Sequence, residues 1–299
     1  MRLHHSVLIL VFVQAIFAPI SQNATAQTQQ QLTQADTSIV ELIHNSSEQF
    51  SNIETLNLEG LLTRIGNARL VLLGESTHGT EEFYRTRARI SQELISKKGF
   101  NIIAVEADWP DAAVINHLIG GHGRTPVVNY KPFAGFASWM WSNQAISEFY
   151  EWLRTHNHQI ALPAQTVHFY GLDFYNIFAS IESVLNYLRA IDPQMAQEAA
   201  MHYACLAPWA SEPSAYSTFM ETRRNHGCAS AVDAVLMDLY RHRIWLGQIN
   251  TQQYFNAVEN ARLVRNAEHF YRVKHQDIYN TWNLRDESMF ETLLNILDY

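Results

Sequence analysis

The feature that most constrains the fold is an apolar run that stops at acid-base groups and is repeated after a helix. Val71-Leu72-Leu73-Gly74 runs into Glu75-Ser76-Thr77-His78-Gly79, and Ile102-Ile103-Ala104-Val105 runs into Glu106-Ala107-Asp108. Between them, Thr80 stands where a helix N-cap is expected, and Glu81 and Glu82 fill a first turn whose dipole favours negative charge. Apolar spacing carries that helix to about Lys98, and Gly99 stops it. Strands over Ala68 to Glu75 and Asn101 to Glu106 then form a parallel pair with a right-handed crossover. Both strand ends fall on one sheet edge, the edge where open α/β sheets bind ligands. Val167 to Asp173 repeats the design, a strand ending at a carboxylate.

The remaining segments read mostly as helix. Ser38 to Phe50 and Leu56 to Ile65 carry apolar residues at three- and four-residue spacing. Pro110 opens a helix that runs through Ile119 and closes at Gly120-Gly121, and Ser138 to Asn157 is helical and aromatic. Gly123 to Gly135 is an irregular loop, either a cover over the site or a plain surface connection. From Ile177 onward helices are expected near 193 to 204, 214 to 224, 229 to 247, 251 to 273 and 285 to 298. The fold class expected is α/β: a small central parallel sheet surrounded by many helices, in one domain with a helix-rich second half.

Residues 1–26 read as a secretory signal peptide: Met1 to His5 is weakly basic, Ser6 to Ala18 is mostly apolar, and Ala24-Thr25-Ala26 is a small-x-small cleavage site. The apolar stretch falls short of the ~20 residues that span a bilayer. Cleavage after Ala26 would give a secreted or periplasmic product with no membrane partner. Residues 27–36, rich in Gln and Thr, read as a flexible arm, and residues 37–299 as the folded domain. A net charge of -8 disfavours nucleic acid and acidic membranes. Cys205 and Cys228 lie in a chain expected to be exported, so they are either a disulfide or two buried thiols.

The strand ends offer a base and its supports. A neutral imidazole can take a proton from water as the water attacks an ester carbonyl, which makes His78 the candidate base. A carboxylate on the other ring nitrogen would fix the tautomer, a role open to Glu75 or Glu106. Arg87, about two turns into the following helix, can lean back over the strand ends to bind an oxyanion or orient a carboxylate. Ser76 as a nucleophile fails the elbow pattern, which requires glycine where His78 stands. Glu75 and His78 match a di-iron ligand pair only in isolation, with no second copy. A mononuclear metal held by Glu75, His78 and Glu106 is chemically feasible, but the expected site uses neither metal nor cofactor.

Four motifs in order, Gly74-Glu75-Ser76-Thr77-His78-Gly79, Glu106-Ala107-Asp108-Trp109-Pro110-Asp111-Ala112, Tyr170-Gly171-Leu172-Asp173 and Thr281-Trp282-Asn283-Leu284-Arg285-Asp286, resemble the erythromycin esterase family. The resemblance implies an α/β fold with helical insertions and, in some members, hydrolysis of the macrolactone ester of macrolide antibiotics by a His that activates water. It implies catalytic roles for Glu75, His78, Arg87 and Glu106. Asp108, Asp173, Arg285 and Asp286 are candidate substrate contacts in their own right, the alternative being buried charges that only tie loops down. The expected partner is a small-molecule ester or lactone, and the expected biology is antibiotic resistance. The family pattern continues past Tyr299 with a strand ending in an Asn- and His-containing motif, and shows His where this chain has Ser288. A shortened member is therefore expected, and the alternative is a non-catalytic protein of the same fold that binds haem or a macrolide. A third reading, from relatives associated with exopolysaccharide, is an enzyme of cell-envelope polysaccharide.

Overall fold

Four short segments pair in parallel to make the sheet: β1 (Val7–Leu10), β2 (Leu70–Leu72), β3 (Ile102–Asp108) and β4 (His168–Asp173), in the order β2-β1-β3-β4. The computed structural model describes residues 7–10, 38–120, 131–135, 138–222, 227–249, 251–275 and 278–299. The expected arm, 27–36, and most of the expected loop, through residue 130, lie outside the described residues.

The sequence left strand order open, and the pairing now gives it. β2 and β3 are parallel, but they are not neighbours: Val7 pairs with Leu70 on one side and with Ile102 on the other. Local periodicity gives strand direction, whereas order is decided by long-range pairing that no local pattern carries. The inserted strand comes from the stretch assigned to the leader, so residues ahead of the expected domain start at 37 contribute to the sheet. β2 is also shorter than the run from Ala68 to Glu75 suggests, and β3 extends beyond Glu106 to Asp108.

β3 is buried on both faces, as a continuous apolar run in a parallel sheet requires. Its side chains alternate between two cores. Ile102 and Ala104 join Leu172 of β4 on one side, while Ile103, Val105 and Ala107 join Phe169 on the other. The second core is closed by α2 (Glu59–Ile65), α3 (Glu81–Lys98), α4 (Trp109–Ile119) and α6 (Gln144–Gln159), with Leu94, Ile119 and Leu153 fully buried. Helix α1, residues 38–46, precedes them, and the one-turn α5 (Ser138–Trp141) leads into α6.

The first core is built on α7 (Ile177–Ile191), α8 (Pro193–Tyr203), α9 (Ser214–Glu221), α10 (Ala229–Arg241), α11 (Arg243–Ile249), α12 (Thr251–Val273) and α13 (Ile278–Asp298). The stretch expected as one helix over 229 to 247 breaks at His242, and α13 begins seven residues before the expected 285. Helix α12 packs against α7, α9, α10 and α13, which explains why its polar residues are paired inside: Arg262 with Glu259 at 2.8 Å, and Glu268 with Arg272 at 3.0 Å. Cys205, just after α8, is bonded to Cys228 at the start of α10, with Cα atoms 5.8 Å apart. Among the described residues no helix is long and apolar enough to cross a membrane.

Candidate functional site

The chain leaves β2 through Leu73 and Gly74 and turns at once, so Glu75 and His78 stand on the turn that feeds α3. Gly79 takes φ +84, a left-handed conformation that few side chains tolerate, and its N–H donates to the Tyr84 hydroxyl at 3.0 Å. Thr80 holds the N-cap position in extended conformation, although its side chain makes no cap hydrogen bond. The Glu75 carboxylate is almost completely buried and uses both oxygens. One lies 2.9 Å from His78 Nδ1, and the other accepts from Arg87 Nη2 at 2.8 Å. Arg87 is itself buried and stacks over Tyr84, its guanidinium carbon 5.0 Å from the ring centre. Burial of Tyr84 pushes its hydroxyl above the usual range, so it stays a neutral donor and acceptor. Arg87 therefore orients a carboxylate; it is not among the residues lining the cavity around His78.

A second ion cluster forms at the ends of β3 and β4. Arg285 of α13 donates through Nε to Asp173 Oδ2 at 3.1 Å, and through Nη2 to Asp173 Oδ2 and Glu106 Oε1, both at 2.5 Å. One guanidinium thus neutralises two carboxylates that adjacent strands force together. Burial pushes Glu106 above the ordinary carboxylate range, and the charge and hydrogen bond of Arg285 offset part of that rise. The charge of His78 also reaches Glu106 and favours its ionised form. Burial works against the charge on Arg285, but Asp173 outweighs it and holds the guanidinium above its usual value. Asp108 is raised well above the usual range by burial and then by the charge of Asp173, while the backbone N–H of Asn176 donates to its Oδ1 at 2.9 Å.

His78, Glu106, Asp108, Asp173 and Arg285 line one cavity of about 150 Å³, walled by Trp139, Trp141, Tyr175 and Trp282. Trp141 is fixed by an indole N–H that donates to the Glu106 carbonyl at 2.9 Å, and burial raises the Tyr175 hydroxyl to about 12. Asp108 and Tyr175 also line a cavity of about 910 Å³ with Asp111, Asn176, Phe178, Glu182, Tyr271 and Lys274. Six of the eight candidate residues are therefore in or directly beneath the small cavity: Glu75 supports His78 from below, and the other five line it. Arg87 lies one contact further back. Asp286 is exposed and outside both cavities, because α13 turns it away from the face that carries Arg285. Asp173 and Arg285 are engaged with each other, so their carboxylate and guanidinium are not open substrate ligands as expected.

The aromatic walls were not among the candidates. Trp139 and Trp141 come from α5, far in sequence from any strand end, and their pattern is that of ordinary core residues; Tyr175, two residues past the strand-ending Asp173, carried a readable signal. Ser288 is buried, and its hydroxyl accepts from Asn266 at 2.9 Å rather than lining the cavity. Among the described residues no group of three or more His, Cys, Asp or Glu is arranged to hold a metal ion.

Comparison with known proteins gives a consistent picture. A family profile described as Erythromycin esterase matches residues 95–299, which includes Glu106, Asp108, Asp173 and Arg285 and begins after Glu75, His78 and Arg87. The chain is similar to Erythromycin esterase type II of Escherichia coli, 27% identical over 109 residues, which is 36% of this chain and 24% of that protein. Among solved structures it resembles a succinoglycan biosynthesis protein, with a TM-score of 0.67, 20% identity, and coverage of 87% of this chain and 62% of that one. A Bacillus cereus protein gives a TM-score of 0.69 at 17% identity, covering 86% and 62%. A variant of the erythromycin esterase EreC in its open conformation gives 0.58 at 17%, covering 83% and 62%. At these identities the likeness to solved structures is one of fold. The chain spans about 62% of the length of each of these structures.

Proposed function

Because the chain belongs to the erythromycin esterase family, we propose that it is a carboxylic ester hydrolase acting on small-molecule esters or lactones, macrolactones among them. The observation that carries the reading is the relay in which Arg87 holds Glu75 and Glu75 holds His78 Nδ1, at the mouth of a cavity shared with Glu106. With Nδ1–H donating to Glu75, Nε2 carries the lone pair that takes a proton from water. The water oxygen bonds to the carbonyl carbon, the carbonyl electrons move onto oxygen, and the proton sits on His78. When the tetrahedral adduct collapses, the acyl carbon–oxygen bond breaks and His78 returns the proton to the leaving alkoxide. Glu75 stabilises the imidazolium between those steps, as does the nearby Glu106. Arg285 lines the cavity but is engaged by Asp173 and Glu106, so its part is to hold those two carboxylates in place beside the reacting ester.

A volume of about 910 Å³ beside the small cavity suits a bulky substrate whose ester alone enters the reaction chamber. The leader over Met1 to Ala26 supports an exported, periplasmic or secreted, enzyme, for which a resistance role against macrolides is the corresponding biology. The test is incubation of the pure protein with a panel of simple esters and macrolactones, with products followed by mass. Wild type is expected to add one water to at least one of them, and His78→Ala to be slower by ~10²–10⁴-fold. Equal rates in the two proteins would contradict the reading. The same large cavity with half-exposed Trp139 and Trp282 at the adjoining mouth favours a second reading, a ligand-holding protein without turnover. Saturable quenching of tryptophan fluorescence by haem or a macrolide, with no product formed, would select it.

A further inference from the structure

The hydrolysis proposed above puts negative charge on the carbonyl oxygen as water attacks, and Arg285 is already engaged by Asp173 and Glu106. A fixed hydrogen-bond donor aimed at that oxygen is among the largest contributions a protein makes to acyl transfer. The small cavity, about 150 Å³, has room for about five waters. An ester group inside it therefore lies close to the side chains that line it.

Among the described residues lining that cavity, few side chains can donate. His78 serves as the base, and the Trp141 indole N–H is committed to the Glu106 carbonyl at 2.9 Å. Trp139 and Trp282 stand half-exposed, where water competes for their N–H groups. Tyr175 has neither disadvantage. With Asp108 it lines both the small cavity and the one of about 910 Å³, so it stands at the junction that a bulky ester would straddle.

Tyr175 is also held in place before any ligand arrives. The backbone is pinned on both sides of it, Phe174 N–H donating to Asp173 Oδ1 and Asn176 N–H to Asp108 Oδ1, each at 2.9 Å. Its ring packs edge-on against Phe174 and Phe270, with centroids 5.6 and 6.0 Å apart, and the Arg285 guanidinium carbon lies 5.1 Å from the ring centre. The charges of Arg285, Asp173, Glu106 and Asp108 all reach the hydroxyl, which sets it beside the ion cluster at the strand ends. Burial raises that hydroxyl to about 12, so it keeps its proton.

We infer that Tyr175 is a further catalytic residue, an inference that rests on the ester-hydrolase reading: its O–H donates a hydrogen bond to the ester carbonyl oxygen and strengthens that bond as the oxygen becomes an oxyanion. The tyrosine proton is not transferred. The proton of the attacking water stays on His78 until the acyl carbon–oxygen bond breaks.

The experiment compares wild type, His78→Ala and Tyr175→Phe on an ester that wild type turns over. Tyr175→Phe keeps the ring and its packing and removes only the donor. Its kcat is expected to fall by ~10²–10³-fold, with KM within about twofold and the melting temperature close to that of wild type. A phosphonate analogue of the same ester, which mimics the tetrahedral adduct, should bind the variant more weakly by the factor lost from kcat/KM. An unchanged kcat, a rise in KM alone, or equal phosphonate binding would overturn the inference. Turnover that is lost in His78→Ala yet intact in Tyr175→Phe overturns it while sparing the ester-hydrolase reading; no turnover in wild type removes both. Should Tyr175→Phe fold poorly, 3,5-difluorotyrosine placed at position 175 alone keeps the ring and hydroxyl but ionises at lower pH. An alkaline loss of kcat that wild type does not show supports the inference, and matching pH profiles overturn it.

Discussion

Glu75 and Arg285 each bind two partners, and the consequences of removing them differ. Glu75→Gln keeps the shape of the relay but removes the charge that steadies the imidazolium, so hydrolysis should fall by roughly 10²-fold or more while thermal stability changes little. Steady-state kinetics beside a melting curve separates the two effects. Arg285→Met instead leaves Asp173 and Glu106 buried without their cation and should cost ~3–5 kcal/mol in denaturant unfolding. Asp108 gives a pH signature. Its pKa in the fold lies above the ordinary value, so its contribution to stability is complete below the unfolded pKa and is lost as pH rises towards the folded one. The stability of Asp108→Asn relative to wild type should therefore increase as pH rises above the ordinary aspartate range, read from unfolding at each pH. A constant difference would contradict this. The sequence made the acid-base identities of Glu75, His78 and Glu106 legible because polar groups at strand ends stand out against apolar runs. It could not say that Arg87 faces Glu75 or that Arg285 faces Asp173, because such pairings join residues 12 and 112 positions apart.

At the scale of elements, the approach of β4 to the irregular end of β3 is what places Asp108 and Asp173 side by side. The register between these strands shifts between Val105 and Asp108, and Gly171 sits against the shift. A Cβ there would stand 2.6 Å from the Asp108 carbonyl oxygen and would also collide with that of Ala107. Gly171→Ala should therefore destabilise the protein by about 1–3 kcal/mol and displace Asp108 from the cavity, visible as a lower melting temperature with impaired ligand binding. An unchanged melting temperature would show that the strands are looser than described. Strand identity was readable from runs such as Ile102 to Val105, and helix starts from Pro110 and Pro193. Strand order was not, since Val7–Leu10 reads as leader by composition and enters the sheet only through pairing with partners more than 60 residues away. The aromatic walls escaped for a related reason: tryptophans on α5 look the same in sequence whether they fill a core or bound a cavity.

For the whole molecule, two cores on either side of a small parallel sheet hold the helical layers, and the small cavity opens where the strands end. The Cys205–Cys228 bond belongs to the helical layer away from that opening and lines neither cavity containing Asp108. Closing a separation of 23 residues, it should contribute about 3 kcal/mol, so reduction should lower stability to denaturant while leaving initial hydrolysis rates intact. The central claim is that His78, oriented by Glu75, is the base in a cleft shared with Glu106. The most direct test is the pH dependence of kcat/KM for ester hydrolysis in wild type and His78→Ala. Wild type should lose activity on acidification, since protonation removes the lone pair a base needs, and the variant should show a low rate without that acid limb. The same acid limb and the same rate in both proteins would contradict the account.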